Sequence, residues 1–375
     1  MPSAAVADAR KRRGDYPTPG ALVDEVIAHA LPSINTGQRV TVLDPACGDG
    51  RFLEVAAQHI QAAGGVPVLV GVDVHDGAVR AARQLLSRYP DVTVAQDDAL
   101  RRCWGTDRFD LVVGNPPYLS QLATATTRRV ASAFGGGPYA DTAVEFLALA
   151  VELARPDGGC IGLVLPQSVL SSRDAADVRA GVARRAELTW SWWSDQRVFD
   201  AAVLVCALAF RRGGRASAAL CHDRAWTRVV TDRLDVPALP AMSPIHTTLG
   251  DRVRLTANFR DQYYGLVPAV ADHELGPPFV TSGLVDPGHC RWGEQPVTFA
   301  RRRFARPRVD LERLSPKLRR WADGLLVPKV VIANQTAVIE AVADPAGEWL
   351  PGVPLLTARP LATTVDVHRV AAVLT

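Results

Sequence analysis

The fold class is decided by Phe109-Asp110-Leu111-Val112-Val113-Gly114-Asn115-Pro116-Pro117-Tyr118. The apolar first part, Phe109 to Gly114, predicts a strand that is buried on both faces, as in a parallel sheet. The tetrapeptide Asn115 to Tyr118 then falls at the carboxyl end of that strand, where open α/β sheets bind their ligands. Asn-Pro-Pro-Tyr by itself is also typical of a simple loop turn, so the neighbouring segments have to decide between the two.

The tetrapeptide has a chemistry of its own. Two prolines hold the backbone extended, so the side-chain oxygen of Asn115 and the carbonyl oxygen of Pro116 can face one point. Two such acceptors suit a planar amino group, because gripping its hydrogens pulls the nitrogen towards tetrahedral geometry and frees its lone pair for attack. Tyr118 is placed to stack on the ring that carries the amine.

Upstream, the sequence predicts half of a cofactor site. The stretch from Thr41 to Gly50, TVLDPACGDG, is a β-branched strand that runs into a glycine-rich turn, and a helix follows over Arg51 to Ala63. A strand, a tight turn and a helix N-terminus together form a ligand cradle. The turn is not G-x-G-x-x-G, so the pyrophosphate of a dinucleotide fits it poorly.

Acidic residues end the predicted strands of this half. Asp44 ends the first strand, Asp73 ends the strand from Val68, and Asp97 and Asp98 lie in the segment from Val92 to Leu100. A carboxylate after the second strand can accept both ribose hydroxyls, and one after the third can accept from an adenine amino group. Each acid alone is more often a helix cap or a turn residue, but their register with the Asn115 tip favours one shared site.

These motifs, in this order, resemble those of the S-adenosylmethionine-dependent adenine-N6 DNA methyltransferases: Asp-Pro-Ala-Cys-Gly at 44–48, Asp73, Asp98 and Asn-Pro-Pro-Tyr at 115–118. Asp-Tyr-Pro-Thr-Pro at 15–19, before the amphipathic helix Ala21 to Ala30, resembles the motif that closes over the methionine end of the cofactor. Because that motif comes first and the extra domain comes last, the chain resembles the gamma, Taq-type arrangement. The resemblance is strongest over residues 14–211.

The resemblance implies a set of site residues. Catalysis would rest on Asn115, Pro116, Pro117 and Tyr118, and Phe199, before the strand Val203 to Phe210, would press on the flipped base. The implied cofactor contacts come from Tyr16, Thr18, Asp44, Ala46, Gly48, Asp73, Val74, Asp98, Ala99, Asn115 and Phe146. Phe146 lies in the helix that begins at Thr142 and precedes the strand Cys160 to Leu165. For this residue, a place in the hydrophobic core is an equal alternative to a cofactor contact. The implied reaction transfers a methyl group from S-adenosyl-L-methionine to N6 of a flipped-out adenine in duplex DNA, without a metal or a covalent intermediate.

Length and resemblance together predict two domains. A chain of 375 residues exceeds the usual size of a single core. We expect an α/β, Rossmann-like methyltransferase domain over residues 1–212 and a smaller α+β target-recognition domain over residues 213–375, joined at the Gly/Ser/Arg segment 211–217. Segments 279–288 and 326–342 resemble the Taq-type target-recognition domain. The chain stops inside a predicted helix, so we expect this domain to be truncated at its C-terminus, either as a shortened sequence or because the natural protein lacks the last helices of the family it resembles.

The excess positive charge lies in the second predicted domain. Residues 1–212 carry 22 basic and 23 acidic side chains, whereas residues 213–375 carry 20 and 16. The segment 301–320 alone holds nine basic residues against Asp310 and Glu312: Arg301, Arg302, Arg303, Arg306, Arg308, Arg313, Lys317, Arg319 and Arg320. So dense a run predicts phosphate contact, with DNA-binding roles for Arg301, Arg302, Arg303, Arg306 and Arg308, although a solvated helix face is the alternative.

The composition argues against a membrane, secreted, disulfide-bonded or metal-binding protein. No apolar stretch is long enough for a membrane span or a secretion signal, the 6 cysteines form no C-x-x-C, and the 8 histidines form no ligand-spaced cluster. We therefore expect a cytoplasmic, nucleoid-associated monomer with reduced thiols and no metal. Its expected partners are double-stranded DNA and cognate restriction or defence proteins, with no membrane.

Two other functions stay open at this stage. Methyltransferases that act on glutamine N5 of a protein or on guanine N2 of RNA share the tetrapeptide, but they usually carry their accessory domain before the cofactor domain. An inactive DNA-binding subunit built on the same fold is the other alternative, although none of the motifs is disabled.

Overall fold

The computed structural model describes residues 18–118, 134–137, 140–194, 198, 203–213, 226–231, 248–257, 260–335 and 339–375. The chain divides into two compact units, Met1–Ala238 and Leu239–Thr375. The first unit has one large hydrophobic core, and the second has two smaller ones.

The first unit is built on a seven-stranded sheet. Its strands are β1 (Arg39–Asp44), β2 (Val66–Asp73), β3 (Val92–Gln96), β4 (Leu111–Gly114), β5 (Cys160–Pro166), β6 (Ala186–Trp193) and β7 (Val205–Arg212). Its helices are α1 (Gly20–Ala30), α2 (Arg51–Ala62), α3 (Asp76–Leu86), α4 (Thr142–Leu153), α5 (Ala176–Arg185) and the short α6 (Arg228–Thr231). Short 3-10 turns cover Gln167–Leu170 and Arg173–Ala175.

The strand order is β3-β2-β1-β4-β5-β7-β6. Strands β1 to β5 are parallel to one another, whereas β7 runs antiparallel to both β5 and β6. The order reverses between β1 and β4, and ligands bind at such a switch point in open α/β sheets. The predicted Rossmann-like α/β fold is therefore confirmed, and the Asn115 tip leaves the sheet beside that switch point.

Helix α1 lies close against strand β5. It buries one apolar face, formed by Leu22, Val23, Val26, Ile27 and Ala30, and these residues belong to the core of the first unit. The close approach requires a glycine on the strand, because a Cβ at Gly162 would lie 2.6 Å from Cβ of Ala30 and 3.0 Å from Cγ1 of Val26. This packing holds the C-terminal half of α1 against β5, and the helix begins at Gly20, two residues after Thr18.

The predicted elements of this unit differ from the observed ones mainly at their ends. Strand β4 begins at Leu111, while Phe109 forms only an isolated bridge with Ala154. Strand β3 ends at Gln96, so Asp97 and Asp98 lie in the turn that follows it. The carboxyl ends of β1 to β4 lie at the same edge of the sheet because these strands are parallel.

The two compact units meet after Ala238, further along the chain than the predicted domain boundary after residue 212. Trp226 gives the physical reason, since its side chain is 1% exposed within the first core. Its ring centroid lies 5.8 Å from that of Phe210 in β7, so chain beyond the predicted linker still packs on the first unit. Residues 214–217 of that linker lie outside the described residues.

The second unit is smaller and combines short strands with short helices. A four-stranded antiparallel sheet has the order β17-β16-β19-β8, formed by β8 (Val253–Ala257), β16 (Lys329–Ala333), β17 (Glu340–Asp344) and β19 (Leu356–Pro360). The remaining strands pair in twos: β9 (Val270–Ala271), β10 (Phe279–Val280), β11 (Val285–Asp286), β12 (His289–Cys290), β13 (Val297–Phe299), β14 (Arg302–Phe304), β15 (Arg308–Val309) and β18 (Leu350–Pro351). The helices are α7 (Arg260–Leu266), α8 (Pro316–Asp323) and α9 (Val367–Leu374).

This composition agrees with the predicted α+β character of the second unit. The helix predicted at the end of the chain is α9, whose first turn is capped by Asp366. In the part of the chain that the structure describes, no helix has both the length and the apolar character needed to span a membrane.

Candidate functional site

The turn after β1 forms the floor of the site. Asp44, the last residue of β1, is 2% exposed, and its Oδ1 accepts a hydrogen bond of 3.0 Å from the backbone N–H of Ala46. Burial, and after it the charges of Asp73 and Asp49, raises the pKa of Asp44 to about 8. The carboxyl group therefore carries a proton at neutral pH, and a cation bound beside it would favour release of that proton.

The glycines of the turn have conformations that other residues rarely adopt. Gly48 has φ +52° and Gly50 has φ +87°, in the left-handed region that glycine reaches at little cost. A Cβ at Gly50 would lie 3.1 Å from Cβ of Ala82 in α3, whereas one at Gly48 would meet nothing within 4 Å. The turn thus packs on α3 at Gly50 and borders open space at Gly48.

Asp73 ties this turn to the end of β2. Its Oδ2 accepts from the backbone N–H of Gly48 at 2.9 Å, and its Oδ1 accepts from the backbone N–H of His75 at 2.9 Å. Asp73 therefore does act as a turn residue, which was the structural alternative. Since each carboxylate oxygen has further acceptor capacity, these bonds also hold the group in place for a ligand hydroxyl, and the exposed Val74 follows it.

Asp98 lies at the corresponding place after β3. Its Oδ1 accepts from the backbone N–H of Leu100 at 3.0 Å, and its Oδ2 pairs with Nε of Arg101 at 3.3 Å. Ala99 is buried, and its carbonyl oxygen accepts from Nε1 of Trp104 at 3.0 Å. Neither Arg101 nor Trp104 was predicted as a neighbour of this turn, although both follow the acid closely in the sequence.

Gly114 joins the two halves of the site. It ends β4 directly before Asn115, and a Cβ at this position would lie 2.6 Å from Oδ1 of Asp44. The tetrapeptide therefore starts against the buried carboxyl group of the first turn. Gly114 was not predicted as a site residue, although a glycine in a strand often marks a close approach of another group.

The structure brings Asn115 and Thr18 together. The side-chain N–H of Asn115 donates to the hydroxyl oxygen of Thr18 at 3.0 Å, across 97 residues of sequence. Thr18 is 6% exposed, so this bond forms in a sheltered place. The predicted cofactor motif and the predicted catalytic tip are thus in direct contact at Thr18.

Tyr118 is directed inward. Its side chain is 9% exposed, and its hydroxyl donates to the side-chain oxygen of Asn115 and lies 3.5 Å from the carbonyl oxygen of Val164. Burial raises the pKa of Tyr118 well above its ordinary value, so the hydroxyl remains a donor. Of the two prolines between them, Pro116 is buried and Pro117 is half-buried.

Phe146 lies in α4, in which nearly every residue is buried, and it is itself 6% exposed within the main core. That position is consistent with the core role left open by the sequence. Two other predicted site residues, Tyr16 and Phe199, lie outside the described residues. Within the described ranges, no three His, Cys, Asp or Glu side chains are grouped so that they could hold a metal ion.

The basic segment of the second unit does not form one helix face. Arg301, Arg302 and Arg303 are exposed at and beside a tight hairpin of β13 and β14, whereas Arg319 and Arg320 lie on α8. The solvated-helix alternative can therefore apply only to the residues on α8.

Trp292 organises two of the predicted DNA-binding arginines. The guanidinium carbons of Arg306 and Arg308 lie 5.4 Å and 4.7 Å from the centroid of its ring, within cation–π range. The indole N–H donates to the carbonyl oxygen of Pro307, between them, at 2.8 Å. The sequence contained no signal for this partner, because Trp292 is separated from the arginine run.

Comparison with known proteins gives a family match. The sequence model described as N-6 DNA Methylase matches residues 3–186. That range includes Thr18, the turn after β1, the acids after β2 and β3, and the tetrapeptide at 115–118.

Several solved structures are similar to this chain. A type I restriction-modification methyltransferase subunit from Streptococcus thermophilus has a TM-score of 0.45 and 17% identity, covering 60% of this chain and 54% of its own. The M protein of the type I restriction enzyme EcoKI has a TM-score of 0.43 and 20% identity, covering 54% of this chain and 45% of its own. A protein from Listeria monocytogenes described as a class I S-adenosylmethionine-dependent methyltransferase has a TM-score of 0.42 and 18% identity, covering 58% of this chain and 69% of its own. This chain thus spans about half of the length of the two type I proteins.

Proposed function

We propose that the protein transfers a methyl group from S-adenosylmethionine to N6 of an adenine in double-stranded DNA, because the N-6 DNA Methylase model matches residues 3–186 of this chain. The observation that carries the proposal is the contact of Asn115 with Thr18 at 3.0 Å. It holds the amide of Asn115 in one orientation at the end of β4. An acceptor fixed at that place suits an amino group more than a hydroxyl or a carbon acid.

The described residues fit the cofactor. The turn at Gly48 borders open space, Asp73 is held at the end of β2 by two backbone N–H groups, and Asp44 places a buried carboxyl group under the turn. When bound, S-adenosylmethionine supplies a methyl group that is already activated by its positively charged sulfur. Asp73 would accept from the ribose hydroxyls, Asp98 from the adenine amino group, and Thr18 with Asp44 would face the methionine end.

The residues of the tip would act on the amine. An amide oxygen can accept two hydrogen bonds, so Asn115 can accept from the amine while it also accepts from Tyr118. With the Pro116 carbonyl oxygen on the second hydrogen, the nitrogen lone pair is directed at the methyl carbon. The bound cofactor would supply the methyl group, with a new N–C bond formed as the C–S bond breaks and its electron pair stays on sulfur, and one N6 proton would pass to water.

An adenine in duplex DNA is stacked and paired, so its N6 can reach this tip only if the nucleotide flips out. We assign Tyr118 and Phe199 to enclose the extruded base. For Tyr118 this requires that the base meets a ring that is 9% exposed, either by entering beside it or by displacing it from Asn115. The exposed arginines of the second unit would hold the DNA backbone, and cognate restriction or defence proteins would be the partners.

The proposal is tested with tritiated S-adenosylmethionine and three acceptors in parallel: duplex DNA, total RNA and a protein extract. We expect label in DNA alone, recovered as N6-methyladenine after digestion to nucleosides and mass spectrometry. Label in RNA or protein alone would instead favour the guanine-N2 or glutamine-N5 alternative. The variant Asn115→Ala should lose transfer by about 10²–10³-fold, the scale for one preorganised polar contact.

A matched variant controls for general damage. Leu275→Ala changes a side chain that is 84% exposed in the second unit, and it should methylate DNA at the rate of the unchanged protein. Cofactor binding, measured by calorimetry, should persist in Asn115→Ala. If Asn115→Ala still methylates DNA at the full rate, Asn115 is not part of the catalytic site.

A further inference from the structure

The hairpin of β13 and β14 has an unusual turn. Phe299 pairs with Arg302, which leaves a loop of only two residues, Ala300 and Arg301. Their φ angles are +48° and +64°. Positive φ at both positions is the geometry of a type I′ turn, which is normally made by Asn-Gly, Asp-Gly or Gly-Gly.

Neither residue of this turn favours that geometry. Alanine and arginine both carry a Cβ, which makes the left-handed region costly, and backbone strain of this kind gathers at functional sites. The tight loop also projects the side chain of Arg301 from the end of a two-stranded ribbon. Because an asparagine or a glycine would make a better turn, the structure gives no folding reason for an arginine here.

The charges of this hairpin are not neutralised locally. Among the described residues, no carboxylate forms an ion pair with Arg301, Arg302 or Arg303, and all three are exposed. Further along the same run the situation differs, since Arg313 pairs with Asp310 at 3.2 Å and Arg319 with Asp323 at 2.9 Å. The arginines at the hairpin tip thus differ from Arg313 and Arg319, whose charges are compensated by a neighbouring aspartate.

The base of the hairpin is held rigidly. On its inner face, Val297, Phe299 and Phe304 are buried, and Thr298 pairs with Arg303 on the opposite face. After the hairpin, Arg306 packs over Trp292, and Gly293 makes room for it, because a Cβ there would lie 3.1 Å from Nε of Arg306. Arg301 is therefore a charged side chain on a packed ribbon, and the chain that follows the ribbon carries Arg306 in place over Trp292.

We propose that this ribbon enters the major groove of DNA and that Arg301 reads a guanine of the target sequence, while Arg306 and Arg308 contact phosphates. The major groove admits a two-stranded β-ribbon, and an arginine that donates two hydrogen bonds to O6 and N7 of guanine is the commonest specific contact there. The inference rests on the proposed action on DNA. It assigns a specificity role to one residue of a segment that otherwise supplies charge.

The test is a binding selection from randomised duplexes, followed by sequencing of the bound pool, because it does not depend on methyl transfer. The unchanged full-length protein should enrich a sequence that contains a guanine. Arg301→Asn should lose the preference at that one position, with discrimination falling by about 5- to 150-fold, the range for one bidentate arginine contact. Since asparagine is well tolerated with positive φ, this variant should unfold at no lower temperature than the parent.

Two controls separate base reading from charge. Ala300→Asn also relieves the turn but keeps the guanidinium, and it should leave the enriched sequence unchanged. Arg320→Gln removes one exposed charge from α8 and should likewise preserve the enriched sequence.

Three results would overturn the inference: a parent protein that enriches no sequence, an Arg301→Asn profile equal to that of the parent, or a uniform loss of affinity without any change of profile. If Arg301→Asn unfolds early, Arg301→Gly replaces it, and the same outcomes apply. A parent that enriches a sequence but forms no N6-methyladenine would contradict the proposed reaction alone.

Discussion

The side-chain N–H of Asn115 donates a hydrogen bond of 3.0 Å to the hydroxyl oxygen of Thr18, which joins the end of β4 to the residue that leads into α1. The oxygen of the same amide accepts from the hydroxyl of Tyr118. The two ends of an amide are nearly equal in shape, so only hydrogen-bond partners decide its orientation. With its N–H facing Thr18 and its oxygen facing Tyr118, Asn115 presents the oxygen as the acceptor at the tip.

The first prediction concerns Thr18. Thr18→Val keeps the shape of the side chain but removes the acceptor for Asn115, so the amide loses one of its two fixed partners. We expect kcat for methyl transfer to fall by about 2- to 12-fold, since one neutral hydrogen bond contributes about 0.5–1.5 kcal/mol. Thr18→Ser keeps the hydroxyl and should retain most of the activity. If Kd for the cofactor rises while kcat is unchanged, Thr18 acts on the cofactor and not on Asn115.

The second prediction separates the two roles of Tyr118. Tyr118→Phe keeps the ring and removes the hydroxyl that donates to Asn115, whereas Tyr118→Ala removes both. If the ring supports the flipped base, Tyr118→Ala should weaken base binding by about 1–3 kcal/mol more than Tyr118→Phe, measured as binding of duplexes that carry an abasic site or an adenine at the target. Equal losses in both variants would mean that the hydroxyl alone matters and that Tyr118 orients Asn115 without stacking.

Some features of the site could be predicted from the sequence, and others depend on contacts between distant segments. Strand-end positions such as Asp44, Asp73 and Asn115 were predictable, because the period of apolar residues locates each strand and the parallel order places the strand ends together. The contact of Asn115 with Thr18 was not, since it depends on how α1 packs against Gly162, at long range in the sequence. Trp292 was missed for a similar reason, as cation–π contacts across a loop leave no local pattern. The roles of Tyr16 and Phe199 stay predictions.

The third prediction uses the pKa of Asp44. Burial raises this pKa from 3.8 to about 8, so between about pH 4 and about pH 8 the folded protein keeps a proton that the unfolded chain has lost. The free energy of unfolding should therefore fall as the pH rises through that window, with a slope of up to about 1.4 kcal/mol per pH unit, and stop falling above it. Asp44→Asn lacks this contribution, so its stability relative to the parent should increase with pH. Urea unfolding at several pH values measures both slopes.

A control variant isolates the effect of burial in this third prediction. Asp157→Asn changes an exposed residue and should leave the pH dependence of the parent in place. If Asp44→Asn shows the same slope as the parent, the carboxyl group is ionised in the folded protein, and its burial must then be compensated by a partner.

The last prediction concerns Gly162, on which the position of α1 depends. Gly162→Ala places a methyl group 2.6 Å from Cβ of Ala30, closer than two carbons can pack, so α1 has to move away from β5. Such overpacking usually costs about 1–3 kcal/mol, which should appear as a lower Tm in calorimetry. Because α1 begins two residues after Thr18, a shift of the whole helix should lengthen the contact with Asn115 and lower kcat as Thr18→Val does. Gly181→Ala is the matched control: it lies in the interior of α5, where a Cβ would make only ordinary contacts at 3.6 Å and 3.9 Å, and replacing a helical glycine by alanine should stabilise by about 0.5–1 kcal/mol. If Tm falls in Gly162→Ala and rises in Gly181→Ala, the close approach of α1 to β5, and not the number of glycines, sets the stability. If Gly162→Ala changes neither Tm nor kcat, β5 tolerates the methyl group and α1 does not position Thr18.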